Sequence, residues 1–169
     1  MPVQRLNHAV LYVRDVERSV AFYRDALGFE VVMGMRGAAF LQAAGSNNDH
    51  DLGLFEIGAG AGPSSAGRTS VGLYHLAWEV DTLDELERIA ATLSEMGALV
   101  GASDHSTTKA LYAQDPDGLE FEVSWLLPAA LIDDEVLAAR SSVRPLDIAA
   151  AKQRYGGQTR GGIGVSVPV

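Results

Sequence analysis

Carboxylate side chains on a strand that otherwise looks buried give the first sign of chemistry in this sequence. The stretch 104–125 is predicted to be strand, tight turn and strand, with Asp115-Pro116-Asp117-Gly118 as the turn. Because side chains alternate along a strand, Glu120 and Glu122 lie opposite an apolar face, which is expected to pack on a helix. That apolar face comprises Leu119, Phe121, Val123 and Trp125. A carboxylate in such a strand needs a partner, and a metal ion is one kind of partner.

The first part of the chain predicts one strand, one helix and three further strands. Alternation of apolar and polar residues predicts strands at 5–13, 29–35, 38–44 and 51–57. A helical period predicts a helix over Val16–Leu27, with Asp15 as its N-cap and Gly28 at its end. In the first strand, His8 shares a face with Val10 and Tyr12.

The same order of elements starts again at residue 71. Strands are predicted at 71–80, 98–102, 109–114 and 119–125, and a helix at 83–96 that opens with a capping box from Thr82 to Glu85. In the strand that opens this second set, His75 shares a face with Leu73 and Ala77.

Matching intervals along the chain indicate an internal repeat. The interval from His8 to His75 equals that between the two helix starts, and the interval from Glu56 to Glu122 is one residue shorter. The segment DLGLFEI at 51–57 also resembles DGLEFEV at 117–123. The sequence therefore predicts an α+β fold of two paired βαβββ modules.

Composition shifts divide the chain into four segments. The first module is predicted to span 1–58, a glycine-rich linker 59–70 and the second module 71–127. A C-terminal extension, 128–169, is expected to have no strand partner and to carry a short helix at 145–155. Residues 156–169 are expected to be mobile or docked on another part of the protein.

Charge and composition narrow the classes of partner. The 169 residues include 13 Lys and Arg against 22 Asp and Glu, which gives a net charge of −9. This charge disfavours nucleic acid and anionic membranes as partners. The chain has no cysteine, so thiolate metal sites and disulfides are excluded. It also shows no signal peptide and no membrane span, and we expect a cytoplasmic protein.

Paired βαβββ modules with a histidine early in each first strand and a glutamate in each last strand resemble the vicinal oxygen chelate superfamily. This superfamily includes glyoxalase I, bleomycin-binding proteins and extradiol catechol dioxygenases, and the resemblance covers residues 4–126. It implies a cup-shaped mixed sheet with the helices outside. It also implies that His8, His75 and Glu122 hold a metal ion, with Fe(II) expected and Mn(II) as the second choice. Alternation agrees, since each of these residues lies opposite the aliphatic face of its strand.

Further residues make short-form extradiol dioxygenases the nearest resemblance. His50 to Phe55, HDLGLF, is similar to the H-x-L-[AG]-x-F segment of these enzymes, which implies that His50 is an acid or base beside the bound oxygen. The segment from His105 to Glu122 resembles the dioxygenase signature. It implies that Tyr112 contacts a substrate oxygen and that His105 faces the substrate. The implied reaction is oxidative ring cleavage of a small aromatic diol by O2, as part of aromatic catabolism.

Two other functions stay open at this point. Glu56 is either a fourth metal ligand, as in a glyoxalase-type lyase or isomerase, or part of the cup wall. A metal-free protein of the same fold that binds a drug is the third reading, although a complete ligand triad argues against it. We also expect a homo-oligomer, with a dimer as the simplest form.

Overall fold

The computed structural model describes residues 2–3 and 5–162. Its backbone forms two compact units. The first consists of Met1–Ser64 together with Asp115–Gly118, and the second of Ser65–Gln114 together with Leu119–Val169. Among the described residues, no helix is long and apolar enough to cross a membrane.

The first unit contains a four-stranded sheet covered on one face by a helix. Its elements are β1 (Ala9–Val13), α1 (Val16–Leu27), β2 (Glu30–Met35), β3 (Ala38–Gln42) and β4 (Leu52–Glu56). The strand order is β1-β4-β3-β2, with β1 parallel to β4 and the other neighbours antiparallel. Helix α1 contacts β3 and β4. The core between them comprises Leu11, Val13, Val16, Tyr23, Ala26, Leu41, Leu52 and Leu54.

Local capping explains why α1 begins and ends where the sequence predicts. The Asp15 carboxylate accepts a hydrogen bond from the Arg18 backbone N–H, which satisfies one of the free donors at the helix start. Gly28 adopts a left-handed conformation with φ of 74°, and its N–H donates to the Arg24 carbonyl. A residue with a Cβ is disfavoured in that conformation, so glycine ends the helix at low cost.

The turn Asp115–Gly118 belongs to the first unit, although the strands on either side of it belong to the second. Asp117 accepts hydrogen bonds from the Arg14 backbone N–H at 2.9 Å and from the Arg14 guanidinium at 2.7 Å. The buried Tyr23 hydroxyl donates to Asp115 at 3.2 Å. Burial, followed by the charge of Asp115, raises the pKa of Tyr23 well above its usual value, so the phenol remains a donor.

The second unit repeats this plan with one additional strand. Its elements are β5 (Leu76–Val80), α2 (Leu83–Glu95), β6 (Leu99–Asp104), β7 (Thr108–Gln114), β8 (Glu120–Leu126), α3 (Asp134–Ala138), β9 (Arg144–Pro145) and α4 (Ile148–Tyr155). The strand order is β5-β8-β7-β6-β9, with β5 parallel to β8. Helix α2 begins at the Thr82 N-cap and covers the buried face of β8, formed by Phe121, Val123 and Trp125. The predicted α+β class with two βαβββ modules is therefore confirmed.

The first strand of each module is shorter than the sequence predicts. β1 begins at Ala9 and β5 at Leu76, so His8 and His75 each lie one residue before a strand. Their ladders start only where β4 and β8 supply partners. Alternation of residue types continues into the preceding segments, but it cannot reveal where the neighbouring strand ends.

The prediction that the C-terminal extension has no strand partner is wrong. Arg144 and Pro145 form β9, which pairs with the edge of β6 at Asp104 and Ser103. The predicted helix is present, but it begins at Ile148 because Asp147 is its N-cap. A two-residue strand has no periodicity of its own, and its existence depends on a partner far away in the sequence.

The described part of the glycine-rich end of the extension, residues 156–162, is docked on the rest of the second unit. The Gly157 carbonyl accepts from the Asp84 N–H at 3.0 Å, and the Gly161 N–H donates to the Asp81 carbonyl at 2.9 Å. The Trp125 indole N–H donates to the Thr159 carbonyl at 3.1 Å. Of the segment predicted to be mobile or docked, residues 156–162 are docked and residues 163–169 lie outside the described part of the chain.

Gly161→Ala is expected to destabilise the protein by about 1–3 kcal/mol, which is typical of overpacking. A Cβ at this position would collide with the Leu126 carbonyl oxygen and crowd the Trp125 indole. Gly60→Ala is the matched control, because nothing lies within 4 Å of its Cβ position. Its effect should be within about 0.5 kcal/mol. Urea unfolding measures both, and equal effects would contradict the docking of this segment.

Candidate active site

In the first unit, two of the predicted site residues are neighbours. The His8 and His50 ring centroids lie 4.5 Å apart, and the Phe40 ring packs against His50 edge to face at 5.1 Å. β1 and β4 are paired side by side, so the segments that immediately precede them meet at one end of the sheet. This places both imidazoles at the same end.

Each of these two rings is oriented through its Nδ1 atom. His8 Nδ1 lies 2.8 Å from the Asn7 side-chain oxygen, and His50 Nδ1 lies 3.0 Å from the Asp49 carboxylate. Both partners are acceptors, so Nδ1 carries the proton in each neutral ring. The lone pair is then on Nε2, which is the form that ligates a metal or takes up a proton.

In the second unit, His75 and Glu122 form a close pair. His75 Nε2 and Glu122 Oε2 are 3.3 Å apart, and the two side chains are 23% and 15% exposed. His75 immediately precedes Leu76, which pairs with Phe121, so the imidazole lies beside the start of β8, where Glu122 follows Phe121. Two ligands in neighbouring positions on one ion, each about 2.1 Å from it, would be about 3 Å apart.

His75 also has a polar atom that lacks a partner. Its Nδ1 is buried and makes no hydrogen bond to any of residues 2–3 and 5–162. A buried nitrogen without a partner costs about 1–3 kcal/mol, so such atoms usually mark a missing ligand or water. The contact of Nε2 with the Glu122 carboxylate fits a bound cation, whereas Nδ1 is on the other side of the ring and cannot bind the same ion.

Tyr112 and His105 extend this pair into a cluster of four residues. Tyr112 lies directly opposite Glu122 in the β7–β8 ladder, and its ring centroid is 6.0 Å from that of His75. His105 Nε2 is 3.0 Å from the Tyr112 hydroxyl oxygen. Burial and then the charge of Glu122 raise the pKa of the Tyr112 phenol, which is therefore protonated at neutral pH and can donate a hydrogen bond.

Tyr74 is a neighbour of this cluster that the sequence analysis missed. Alternation places it on the face opposite His75, yet its ring centroid lies 4.5 Å from the His75 ring. The residues before Leu76 are not in a strand, so alternation does not apply to them. A hydrogen bond to Glu120, together with the charge of that carboxylate, raises the pKa of Tyr74.

The predicted equivalence of Glu56 with Glu122 is wrong. His8 precedes Ala9, which pairs with Leu52, and His75 precedes Leu76, which pairs with Phe121. If the two histidines are equivalent, the residue that corresponds to Glu122 is therefore Gly53. The similarity between DLGLFEI and DGLEFEV misaligns the strands by three positions, and an odd shift moves a side chain to the other face.

Glu56 instead supports the start of α1. Its Oε2 accepts a hydrogen bond from the Val16 backbone N–H at 3.1 Å. Carboxylate oxygens of Asp15, Glu17 and Glu56 lie within 4.8 Å of one another there, and all three residues are exposed. Free N–H groups and the positive end of the helix dipole account for this acidic group.

Glu56→Gln is expected to destabilise the protein by about 1 kcal/mol, because a charged acceptor at a helix start is replaced by a neutral one. Metal content per chain should stay at the wild-type level. Glu17→Gln is the matched control within the same acidic group and should change stability by only a few tenths of a kcal/mol. Loss of metal in Glu56→Gln would instead support a four-ligand site of the glyoxalase type.

The predicted metal ligands are divided between the two units. His75 and Glu122 lie together in the second unit, and His8 lies in the first beside His50. An imidazole and a carboxylate in contact are suitable ligands for Fe(II), Mn(II) or Zn(II). The complete set of three remains a prediction.

Comparison with known proteins identifies curated relatives with two kinds of activity. The chain is 35% identical to a catechol-2,3-dioxygenase of Bacillus subtilis over 70% of its own length and 40% of that protein. It is 28% identical to an iron-dependent extradiol dioxygenase of Rhodococcus jostii, over 82% of its length and 48% of that protein. It is also 26% identical to the metallothiol transferase FosB of Lysinibacillus sphaericus, over 72% of its length and 82% of that protein. The chain thus spans less than half of the two dioxygenases.

Comparison of structures and families agrees on the fold. A glyoxalase/dioxygenase from Nostoc punctiforme superposes with a TM-score of 0.59 at 22% identity, over 73% of this chain and 91% of that one. A family model describing the glyoxalase/bleomycin resistance protein/dioxygenase superfamily matches residues 5–123. The resemblance inferred from the sequence is thus confirmed, and the chain belongs to the glyoxalase/bleomycin resistance protein/dioxygenase superfamily.

Proposed function

We propose that the protein is a metal-dependent extradiol dioxygenase that cleaves the ring of a small catechol-type diol with O2. The observation that carries this proposal is the cluster of His75, Glu122, Tyr112 and His105 in the second unit. It combines two side chains that are able to ligate a metal with a protonated phenol and a further imidazole, which suits a substrate with two adjacent oxygens. The dioxygenase relatives support the same class of reaction.

His8, His75 and Glu122 are the residues that would hold the metal. Two neutral imidazoles and one carboxylate form the ligand set of non-haem Fe(II) oxygenases, and we propose Fe(II), with Mn(II) as the alternative. When bound, the ion would bring the diol and O2 together and activate them for reaction.

The other side chains handle protons and orient the substrate. The Tyr112 phenol would donate a hydrogen bond to a substrate oxygen, since burial raises its pKa and keeps it protonated. His105 holds the Tyr112 hydroxyl at 3.0 Å and so limits its rotation. His50, oriented through Nδ1 by Asp49, takes up a proton at Nε2 and returns it during ring opening.

Oxygen consumption tests the proposal. Protein purified without oxygen and loaded with Fe(II) is given a panel of substituted catechols, and O2 uptake is compared with the mass of the product. We expect one O2 consumed for each ring opened and a product equal to substrate plus two oxygen atoms. A protein that contains Fe(II) but consumes no O2 with any diol would refute the proposed reaction.

A thiol transferase is the second candidate, because the match to the metallothiol transferase covers 82% of that protein, far more than for the dioxygenases. The same loaded protein should then consume a thiol in the presence of an electrophilic substrate and leave O2 untouched. A glyoxalase-type isomerase would turn over a hemithioacetal without O2, but Gly53 occupies the position at which such a site would need a fourth ligand.

We also propose a homodimer, and the exposed edge of the first unit supports it. β2 ends the sheet, all six of its residues are exposed, and Val31, Val32, Met33 and Met35 are large and apolar. Apolar edge strands are usually covered in stable proteins. Light scattering should give twice the chain mass for the wild type and a lower mass for Val32→Lys.

A further inference from the structure

The loop between β6 and β7 places His105 next to a residue with an unfavourable backbone conformation. Ser106 has φ of 69°, and among residues 2–3 and 5–162 it is the one residue other than glycine with a positive φ. Such a conformation persists in a residue with a Cβ only where its surroundings impose it. Ser106 is 3% exposed, so packing and hydrogen bonds are available to do so.

Three hydrogen bonds hold Ser106. Its N–H donates to the Asp104 carboxylate at 2.7 Å, and its hydroxyl donates to the Val136 carbonyl at 2.6 Å. Its carbonyl accepts from the Lys109 ammonium at 2.6 Å. Every polar group of this residue is therefore satisfied, and one partner lies in α3 of the C-terminal extension.

Lys109 connects the same loop to two further parts of the extension. The Lys109 side chain is 2% exposed, and its ammonium group forms an ion pair with Asp104 at 2.7 Å. It also lies 5.4 Å from the centre of the Tyr155 ring in α4. Asp104 lies opposite Arg144 in the β6–β9 ladder. Its carboxylate also forms an ion pair with the Arg144 guanidinium at 3.5 Å.

A buried lysine is costly, which suggests a reason for its presence beyond packing. Burial lowers the pKa of Lys109 even though Asp104 opposes the shift, so the charge is retained at a cost in free energy. What this arrangement fixes is the backbone on both sides of Ser106. The His105 N–H donates to the Thr108 carbonyl at 2.9 Å, and the Thr107 N–H donates to the His105 carbonyl at 2.9 Å.

We propose that Ser106, Lys109 and Asp104 are positioning residues through which the C-terminal extension directs His105 at the Tyr112 hydroxyl. The inference rests on the proposed function in that His105 and Tyr112 face the substrate. None of the three positioning residues touches the substrate. They act by fixing the backbone of the loop at Ser106. The residue immediately before Ser106 is His105, so a fixed backbone also fixes the direction of the imidazole.

The nitrogen resonances of the His105 ring test this inference without turnover. The chain has four histidines, so a long-range ¹H–¹⁵N spectrum of the full-length protein is simple to assign, with His105→Gln identifying the signal. Tyr112→Phe removes the hydrogen bond between the Tyr112 hydroxyl and His105 Nε2. It therefore gives the reference chemical shift for a His105 ring without this partner. We expect Lys109→Met and Ser106→Ala to move the His105 signal toward that reference.

Two further variants separate positioning from general stability. Ser106→Gly loses the hydroxyl but adopts a positive φ freely, so it should move the His105 signal less than Ser106→Ala does. Lys152→Met removes the ion pairs of α4 with Asp84 and Glu87, which anchor the extension to α2 away from the loop. It should leave the His105 signal at the wild-type position.

The inference is overturned if folded Lys109→Met keeps the wild-type His105 signal, or if Lys152→Met shifts it as much. Should Lys109→Met not fold, Ser106→Ala decides by the same criterion. If the protein is a dioxygenase, kcat of Lys109→Met should fall about tenfold with KM changed by less than about twofold. Absence of ring cleavage in the wild type would refute the proposed function. The positioning of His105 is measured without turnover, so the spectra would still test it.

Discussion

His75→Ala and Glu122→Ala are each expected to lower metal affinity by more than about 100-fold and to abolish turnover. The reason is the contact of 3.3 Å between the imidazole and the carboxylate, which places two ligand atoms at the separation that one ion requires. Changes to residues that merely support a ligand cost about 10–100-fold, so removal of a ligand should cost more. Metal per chain, measured after gel filtration of protein loaded with Fe(II) or Mn(II), checks this expectation.

Tyr112→Phe is the matched control for these two variants. It removes a hydroxyl next to the same pair but no metal ligand, so metal content should stay at the wild-type level while turnover falls. Wild-type metal content in His75→Ala would remove His75 from the site and end the dioxygenase proposal. Loss of metal in Tyr112→Phe would show that the phenol is itself a ligand.

His50→Phe should lower turnover by about 10²–10⁴-fold while metal content and anaerobic catechol binding stay near wild type. A positioned acid or base contributes a factor of this size, and phenylalanine keeps the aromatic packing against His8 and Phe40 while removing both nitrogens. Stopped-flow kinetics with and without O2 separates substrate binding from the later steps. Unchanged turnover would exclude His50 from the reaction.

Asp49→Asn is expected to lower turnover in the same way as His50→Phe but by a smaller factor. The carboxylate at 3.0 Å fixes the proton on Nδ1, and an amide at the same place holds the ring less firmly. Turnover should therefore lie between those of the wild type and His50→Phe. An Asp49→Asn rate as low as that of His50→Phe would mean that the carboxylate does more than orient the ring.

The sequence predicts the helices better than the strands, because their signals are local. Asp15 and Thr82 accept from backbone N–H groups three residues later, and both helices start where these caps indicate. The register of β4 depends instead on its pairing with β1. The similarity between the seven-residue segments 51–57 and 117–123 does not reflect that register, so it led to the wrong equivalence for Glu56. β9 was missed for the same reason, since it exists through β6.

In the candidate site, too, contacts set by local sequence were predicted and contacts set by irregular backbone were not. The pairing of Tyr112 with Glu122 is a short-range consequence of the tight turn between β7 and β8, so alternation places both side chains on one face. The proximity of Tyr74 to His75 was not predictable from alternation, because the segment before β5 is irregular. The contact of His105 with Tyr112 depends on the left-handed Ser106, which no residue type in the loop indicates.

The position of the Asp115–Gly118 turn has a consequence for synthesis of the chain. Asp117 is bound by Arg14, 103 residues earlier, so the first unit is discontinuous in sequence. When translation has just reached the end of the glycine-rich linker, the nascent chain still lacks four residues of the first unit, Asp115–Gly118. Its first βαβββ module must therefore wait, without its last hydrogen-bond partners, until most of the second has been translated. For the same reason, a protein split at the linker would yield halves that do not correspond to the units, and coexpressed halves should recover stability only by associating.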